Sequence, residues 1–415
     1  MGKKRTKKGG EPIGSGGYGC VFQPALKCKN SQKTYTRKMV SKLMTTEHVQ
    51  SEYLDIQKFS KYLKKIPNYK DYFLIWDVSA CQPSKLSDKD LVDYEDTCSN
   101  LVEEGFSSDV VNNPQILNEL KIINMPYGGL DLKNYLRKIN MNYQKTNVVV
   151  KSLLKLLTRG ILPMNNVGVY HCDIKDSNML VDTSTSKIHT RLIDWGLSYL
   201  YSSNIMDELG RRPFQYNLPL SVIVFHSNFF TKYAEAGSPV LQADVKSFVS
   251  DYISTIIKKR GLGHISTMHH IHKILYNNPN ADISFTLNIL SNYITQVVLT
   301  FKTNMQKYLP IYLYNIDIWG WCVSFIAIAT ELGKNKILTT SQFNIINYIK
   351  EMYDVLLLSS SVKISVTKLS AISEKIQKIL ISSAPENEVK KYNNVDRSNY
   401  IISSTYKQSN DSKLL

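Results

Sequence analysis

The segment "YHCDIKDSNMLVD", residues 170 to 182, sets Asp173, Lys175 and Asn178 in an H-x-D-x-K-x-x-N spacing that begins at His171 and runs into a strand-like stretch. Sixteen residues beyond Asn178 comes "LIDWGLS", with Asp194 and Gly196. A hydroxyl nucleophile needs a carboxylate to orient it and take its proton, a migrating phosphoryl group needs a cation, and metal-bound phosphates need hard oxygen ligands. Asp173 suits the first task, Lys175 the second, and the pair Asn178 and Asp194 the third. Each residue alone is equally well explained as a cap or a turn; the ordered set points to phosphoryl transfer.

A second candidate lies near the start of the chain. "IGSGGYGCVF", residues 13 to 22, fits G-x-G-x-x-G through Gly14, Gly16 and Gly19, with Gly17 a fourth glycine and Ile13 and Val21 on its flanks. The pattern alone serves a strand-to-helix dinucleotide turn, a strand-turn-strand phosphate loop, or neither. The stretch after the last glycine, "CVFQPAL", is β-branched and aromatic, ends at Pro24 and has no helical period, so a second strand is expected.

These residues need elements to hold them. Residues 12 to 125 read as mostly β: "EPIGSGG" into "CVFQPAL", "YTRKMVSKLM", "YFLIWDVSA" and "ELKIINM" are strand-like, and "TTEHVQSEYLDIQKFSKYL" is one helix with Thr46 as expected N-cap. An acidic stretch, 82–110, interrupts the last two strands and is expected to be a surface excursion. From "YGGLDLKNYLRK" onward the pattern is helical, with "NMLVD" and "KIHTRLI" as a strand pair around "TSTS". Val245, Phe248, Val249, Tyr252, Ile256 and Ile257 recur at the spacing of an amphipathic helix inside a further helical block, 221–311. The expected organisation is a basic arm (1–11), a β-rich unit (12–125), a helical unit (126–383) and a polar tail (384–415).

In these motifs the chain resembles the eukaryotic-type protein serine/threonine kinases, over roughly residues 12 to 380. The most detailed similarity, in "IGSGGYGCVF", "VSKLM", "YGGLDL", "RPFQYNLPLS" and "DIWG", is to those encoded by large nucleocytoplasmic DNA viruses. The resemblance implies an α+β, bilobal kinase-like fold, ATP as phosphoryl donor and Mg²⁺, or Mn²⁺, as metal. It makes Asp173 the base, with Lys175 in the serine/threonine form of the loop, and Asn178 and Asp194 the metal ligands. Ile13, Gly14, Gly16, Gly17, Gly19 and Val21 become the nucleotide loop. Lys42 becomes the phosphate anchor, with Lys38 as alternative, and Glu52 its helix partner, with Glu47 as alternative. Asp131 would reach the ribose, and Asp317 in "NIDIWGWCVSF" would brace the catalytic loop from beneath. If viral, the protein would act in the host cytoplasm or be packaged in the virion.

Three positions depart from that family. Cys172 replaces the Arg that precedes the base, which removes the usual partner of an activation-loop phosphate, so activity without phosphorylation of Ser202 or Ser203 is expected. Trp195 replaces Phe between Asp194 and Gly196. "GRRPFQYNLPLS" lacks the Glu of the A-P-E segment.

Composition bounds the rest. The chain has 415 residues, formal net charge +16, with −6 concentrated in 82–110 and +22 on the remainder. That basic surface suits contact with nucleic acid or acidic surfaces. The longest apolar stretch, "WGWCVSFIAIATEL", is expected to be a core helix too short to span a bilayer. "MGKKRT" superficially fits a myristoylation signal through Gly2 and Thr6, which Lys3 disfavours, and no secretory signal accompanies it. Six scattered cysteines without a C-x-x-C pair suggest reduced thiols and an intracellular setting. A monomer is expected. His264, His269, His270 and His272 raise a zinc reading, though too few further ligands lie nearby. Two rivals to a protein kinase stay open: a catalytically weak scaffold with a basic binding surface, and a small-molecule phosphotransferase on the same fold.

Overall fold

The computed structural model describes residues 10–31, 35–202, 204–259, 262–302, 304–334, 337–382 and 389–391. Most of the basic arm, Ser203 and the tail beyond 391 lie outside the described residues. The chain divides into two units, the first built from described residues 10–65 and 73–128, the second from 66–72 and from 129 onward.

The first unit is an antiparallel sheet with one long helix. Its strands are β1 (Glu11–Gly16), β2 (Gly19–Gln23), β3 (Met39–Thr45), β4 (Ser79–Cys81) and β5 (Leu120–Pro126), in the order β1-β2-β3-β5-β4. The strand reading of "CVFQPAL" holds: β2 comes directly after the glycines and pairs with both β1 and β3. Helix α1 (Thr46–Leu63) buries Val49, Ile56, Phe59 and Leu63. Thr46 is its first turn rather than its cap; Thr45 is the extended cap residue, and Thr46 Oγ1 donates instead to Glu119 O at 2.9 Å. "YFLIWDVSA" yields only the short strand β4, because its apolar half packs as irregular chain with Phe73, Leu74 and Ile75 buried.

The acidic stretch is not a surface excursion. It folds into two short helices, α2 (Tyr94–Thr97) and α3 (Ser99–Glu103), and inserts Leu86, Tyr94, Cys98, Leu101 and Phe106 into one core with Cys20, Phe22, Leu43 and Ile122. Seven of its eight acids are exposed, Asp90 alone among them being buried, while these apolar residues face in. One disulfide, Cys20–Cys98, ties this stretch to β2, and a second, Cys28–Cys81, ties β4 just before it to the chain after β2. The expectation of six reduced thiols is therefore wrong for four of them; the partners are 78 and 53 residues apart, so only the sheet brings them together. Cys172 and Cys322 are free and buried.

The second unit is larger and mainly helical. Leu156–Ile161 joins the helices Tyr143–Lys155 and Leu162–Asn166 into one run. A small sheet places β6 (Leu130–Asp131) beside the hairpin of β8 (Met179–Asp182) and β9 (His189–Leu192), the strand pair expected around "TSTS". Another ladder joins β7 (Val169–Tyr170) to β10 (Tyr199–Leu200). The 221–311 block is helical, and the predicted amphipathic helix spans Gln242–Lys259 with Val245, Val249 and Tyr252 buried.

The centre of this unit is the helix Met305–Ser324, continued by Ile326–Leu332. Contrary to the sequence reading, the run Met305–Leu332 is long and apolar enough to cross a bilayer by length and composition, with mean hydropathy 1.4 over its most apolar window. It is 89% buried within the protein over that window. Trp319 and Trp321 are fully buried, and their indole N–H groups donate to Tyr216 O at 3.1 Å and Leu153 O at 2.8 Å.

Candidate functional site

The Asp173 cluster is assembled on the loop between β7 and β8. Asp317, fully buried on the Met305–Ser324 helix, accepts the backbone N–H of His171 on Oδ2 at 2.9 Å and that of Cys172 on Oδ1 at 2.8 Å. Burial raises its carboxyl above the usual range, opposed by these two hydrogen bonds and by the Arg212 guanidinium. The double contact holds Cys172 in the left-handed region at φ 58°, a conformation costly for a residue with a side chain. Three residues further along the same helix, Gly320 is required: a Cβ there would sit 2.4 Å from Ile174 O.

Turned by that brace, Asp173 receives three side-chain donors. Lys175 Nζ and Asn178 Nδ2 both donate to Oδ2 at 2.9 Å, and Asn217 Nδ2 donates to Oδ1 at 2.9 Å. Asp173 is 3% exposed, so the carboxylate is oriented and held by charge-assisted hydrogen bonds. Asn178 also donates to Asp173 O at 2.9 Å. With its nitrogen committed to Asp173, Oδ1 of Asn178 is the atom able to meet a metal.

The strand β9 delivers Asp194 to the same place. Ile193 N donates to Asn178 O at 3.1 Å, while Ile193 O shares a hydrogen bond with His171 Nε2 at 3.0 Å. Because His171 Nδ1 accepts from Asp173 N at 3.3 Å, Nε2 carries the proton and donates. Asp194 comes immediately after, left-handed at φ 67° and exposed. Trp195 is buried with its ring 4.8 Å from His171, filling the apolar slot expected of it. Asn178 and Asp194 thus offer two hard oxygens, a set that suits a Mg²⁺ completed by phosphate and water.

The chain from 211 to 217, whose roles the sequence did not reveal, lies against this loop. Besides its bond to Asp173, Asn217 donates to Ile174 O at 3.3 Å. Arg212 is 4% exposed, donates to Leu197 O and stacks over Tyr199 at 4.9 Å. Its positive charge bears on both Cys172 and Asp317. A guanidinium therefore sits near Cys172, supplied from 40 residues downstream. Burial pushes the Cys172 thiol up, which keeps it un-ionised. From the helical block, His264 packs on Tyr216 at 5.8 Å; burial and the Lys175 charge hold its imidazole down at about 4.

In the first unit, Lys42 on β3 stands opposite Val21 of β2, and its Nζ pairs with Glu52 Oε2 of α1 at 2.5 Å. The alternatives are placed elsewhere: Lys38 is exposed before β3 and Glu47 is exposed at the start of α1. Gly16 lies against this lysine, since a Cβ would be 3.7 Å from Lys42 Cε. Gly19 is demanded by packing, 2.3 Å from Leu43 O, whereas a Cβ at Gly14 or Gly17 would meet nothing within 4 Å. Protein packing does not explain those two glycines. Ile13 is exposed on β1.

Asp131 and the histidines of the 264–272 stretch have structural contacts. Asp131 caps the helix Leu132–Lys138, with Oδ1 accepting Asn134 N at 2.9 Å and Oδ2 accepting Asn134 Nδ2 at 2.6 Å. Among the histidines, His269 and His272 both bond Thr286 Oγ1, and His272 Nε2 meets Tyr353 OH at 2.9 Å. Among the described residues no group of three or more His, Cys, Asp or Glu side chains is arranged to hold a metal.

Comparison of the chain with models of known protein families and with curated proteins finds no match.

Proposed function

We propose that this protein is an ATP- and Mg²⁺-dependent protein serine/threonine kinase, with a small β-rich lobe and a large helical lobe of the protein-kinase type. The observation that carries the reading is the Asp173 carboxylate, oriented by Lys175, Asn178 and Asn217 on a loop that Asp317 holds from beneath. That arrangement suits general-base orientation of an attacking hydroxyl.

Asp173 orients the substrate hydroxyl and takes its proton. Lys175, held 2.9 Å from Asp173, carries the positive charge that the migrating phosphoryl group needs. Asn178 and Asp194 would hold the metal, which when bound would neutralise phosphate charge. Lys42, fixed by Glu52, and the glycine loop bind the phosphates through an ammonium and backbone N–H groups. The resemblance to serine/threonine kinases of large DNA viruses supports a protein substrate, and Lys175 supports Ser or Thr as acceptor.

The test is transfer from labelled ATP with Mg²⁺ to a mixed protein substrate, comparing wild type with Asp173→Ala. Label on Ser and Thr that falls at least about 10³-fold in the variant is the expected result. A folded wild type that binds ATP yet transfers nothing would overturn the reading.

A further inference from the structure

We propose that the acidic segment is a built-in brace for the glycine-rich loop, and that Asn100 within it is a positioning residue that sets the affinity for a nucleoside triphosphate. The proposal rests on the nucleotide-binding reading of that loop. Asn100 Nδ2 donates to Gly16 O at 2.5 Å, at the tip of the β1–β2 hairpin. Two residues earlier, Cys98 is joined by a disulfide to Cys20, the residue after Gly19. At the other end of β1, Gly10 N donates at 2.5 Å to Oδ1 of Asp90, which is 5% exposed. Between these ties Tyr94 is fully buried, its hydroxyl donating to Phe106 O at 3.0 Å and its ring 6.3 Å from Phe22 on β2. The segment from Asp90 to Asn100 thus fastens the hairpin before its first strand, at its tip and after its last glycine.

The tip contact has a directional consequence. In a trans peptide the C=O of one residue and the N–H of the next point to opposite sides. Fixing Gly16 O toward Asn100 therefore turns Gly17 N–H away from the brace, on a residue whose missing Cβ leaves open space. A donor already aimed at an incoming phosphate loses less freedom on binding, which favours affinity rather than the chemical step. The tie comes from a neutral amide although the segment is acidic, so no carboxylate is brought to the tip by this contact.

The experiment is calorimetric titration of the full chain with Mg·ATP, alongside steady-state kinetics, for wild type, Asn100→Ala and the near-isosteric Asn100→Asp. Asp cannot donate from its carboxylate, so a hydrogen-bond role makes it no better than Ala, whereas a packing role leaves it near wild type. Both variants are expected to bind ATP about 10-fold more weakly, with KM for ATP raised and kcat little changed. Cys98→Ser, which removes the neighbouring disulfide alone, is expected to move affinity in the same direction and gives an independent reading if an Asn100 variant fails to fold. Wild-type affinity in the folded Asn100 variants, or in Cys98→Ser where they do not fold, would overturn the brace while leaving the nucleotide reading intact. A wild type with no affinity for Mg·ATP would overturn both.

Discussion

Asp317 Oδ1 accepts the backbone N–H of Cys172 at 2.8 Å, across 145 positions of sequence, and so fixes the chain one residue before Asp173. The partner oxygen does the same for His171. A fully buried carboxylate facing two N–H donors serves as a template for the turn that presents Asp173.

Asp317→Asn should therefore damage both stability and chemistry. An amide can place only one acceptor there and turns N–H groups toward N–H groups. A loss of about 2–4 kcal/mol is expected from the unsatisfied buried donors. Denaturant unfolding checks that figure, and transfer activity of the remaining folded protein should fall by at least about 10-fold as Asp173 loses its orientation.

Lys42 and Lys38 should separate cleanly. Lys42→Met removes the cation that Glu52 holds at 2.5 Å on a central strand, and is expected to cut transfer at least about 100-fold. Lys38→Met changes an exposed residue before that strand and should leave transfer within about two-fold. Parallel kinetic assays of the two proteins decide it; equal losses would show that the Lys42–Glu52 pair is not the functional one.

Acid should weaken the helical unit through His272. Burial and the neighbouring His269 push this imidazole down to about 3 from its ordinary value of 6.5. Between those values the unfolded chain binds the proton and the folded protein does not, so stability rises with pH across that window. The contribution is fully present above pH 6.5 and is lost as pH falls toward 3. Thermal unfolding of wild type should show a falling midpoint below pH 6.5. In His272→Gln the midpoint at pH 7 should be lower, through loss of the Thr286 and Tyr353 contacts, and its slope with pH shallower.

The sequence by itself determined what short-range spacing controls. The hairpin of β8 and β9, the position of β2 after the glycines and the amphipathic helix Gln242–Lys259 were legible because strand and helix periods act over a few residues. So was the set Asp173, Lys175 and Asn178, which lies within six positions, and Asp194, which a single hairpin returns beside Asn178. Only the tertiary structure decided the rest. Asn217 and Arg212 reach the Asp173 loop from 44 and 40 positions downstream of Asp173 and Cys172, with no periodic signal to mark them. It likewise chose Glu52 over Glu47, since both lie on α1 and only the turn facing β3 meets Lys42. The acidic stretch was misread because charge dominates its composition, while its apolar residues and Cys98 find partners only when the sheet is formed. Charge density along a chain reports which side chains must stay in water; which of their neighbours are buried depends on the surface against which the segment closes.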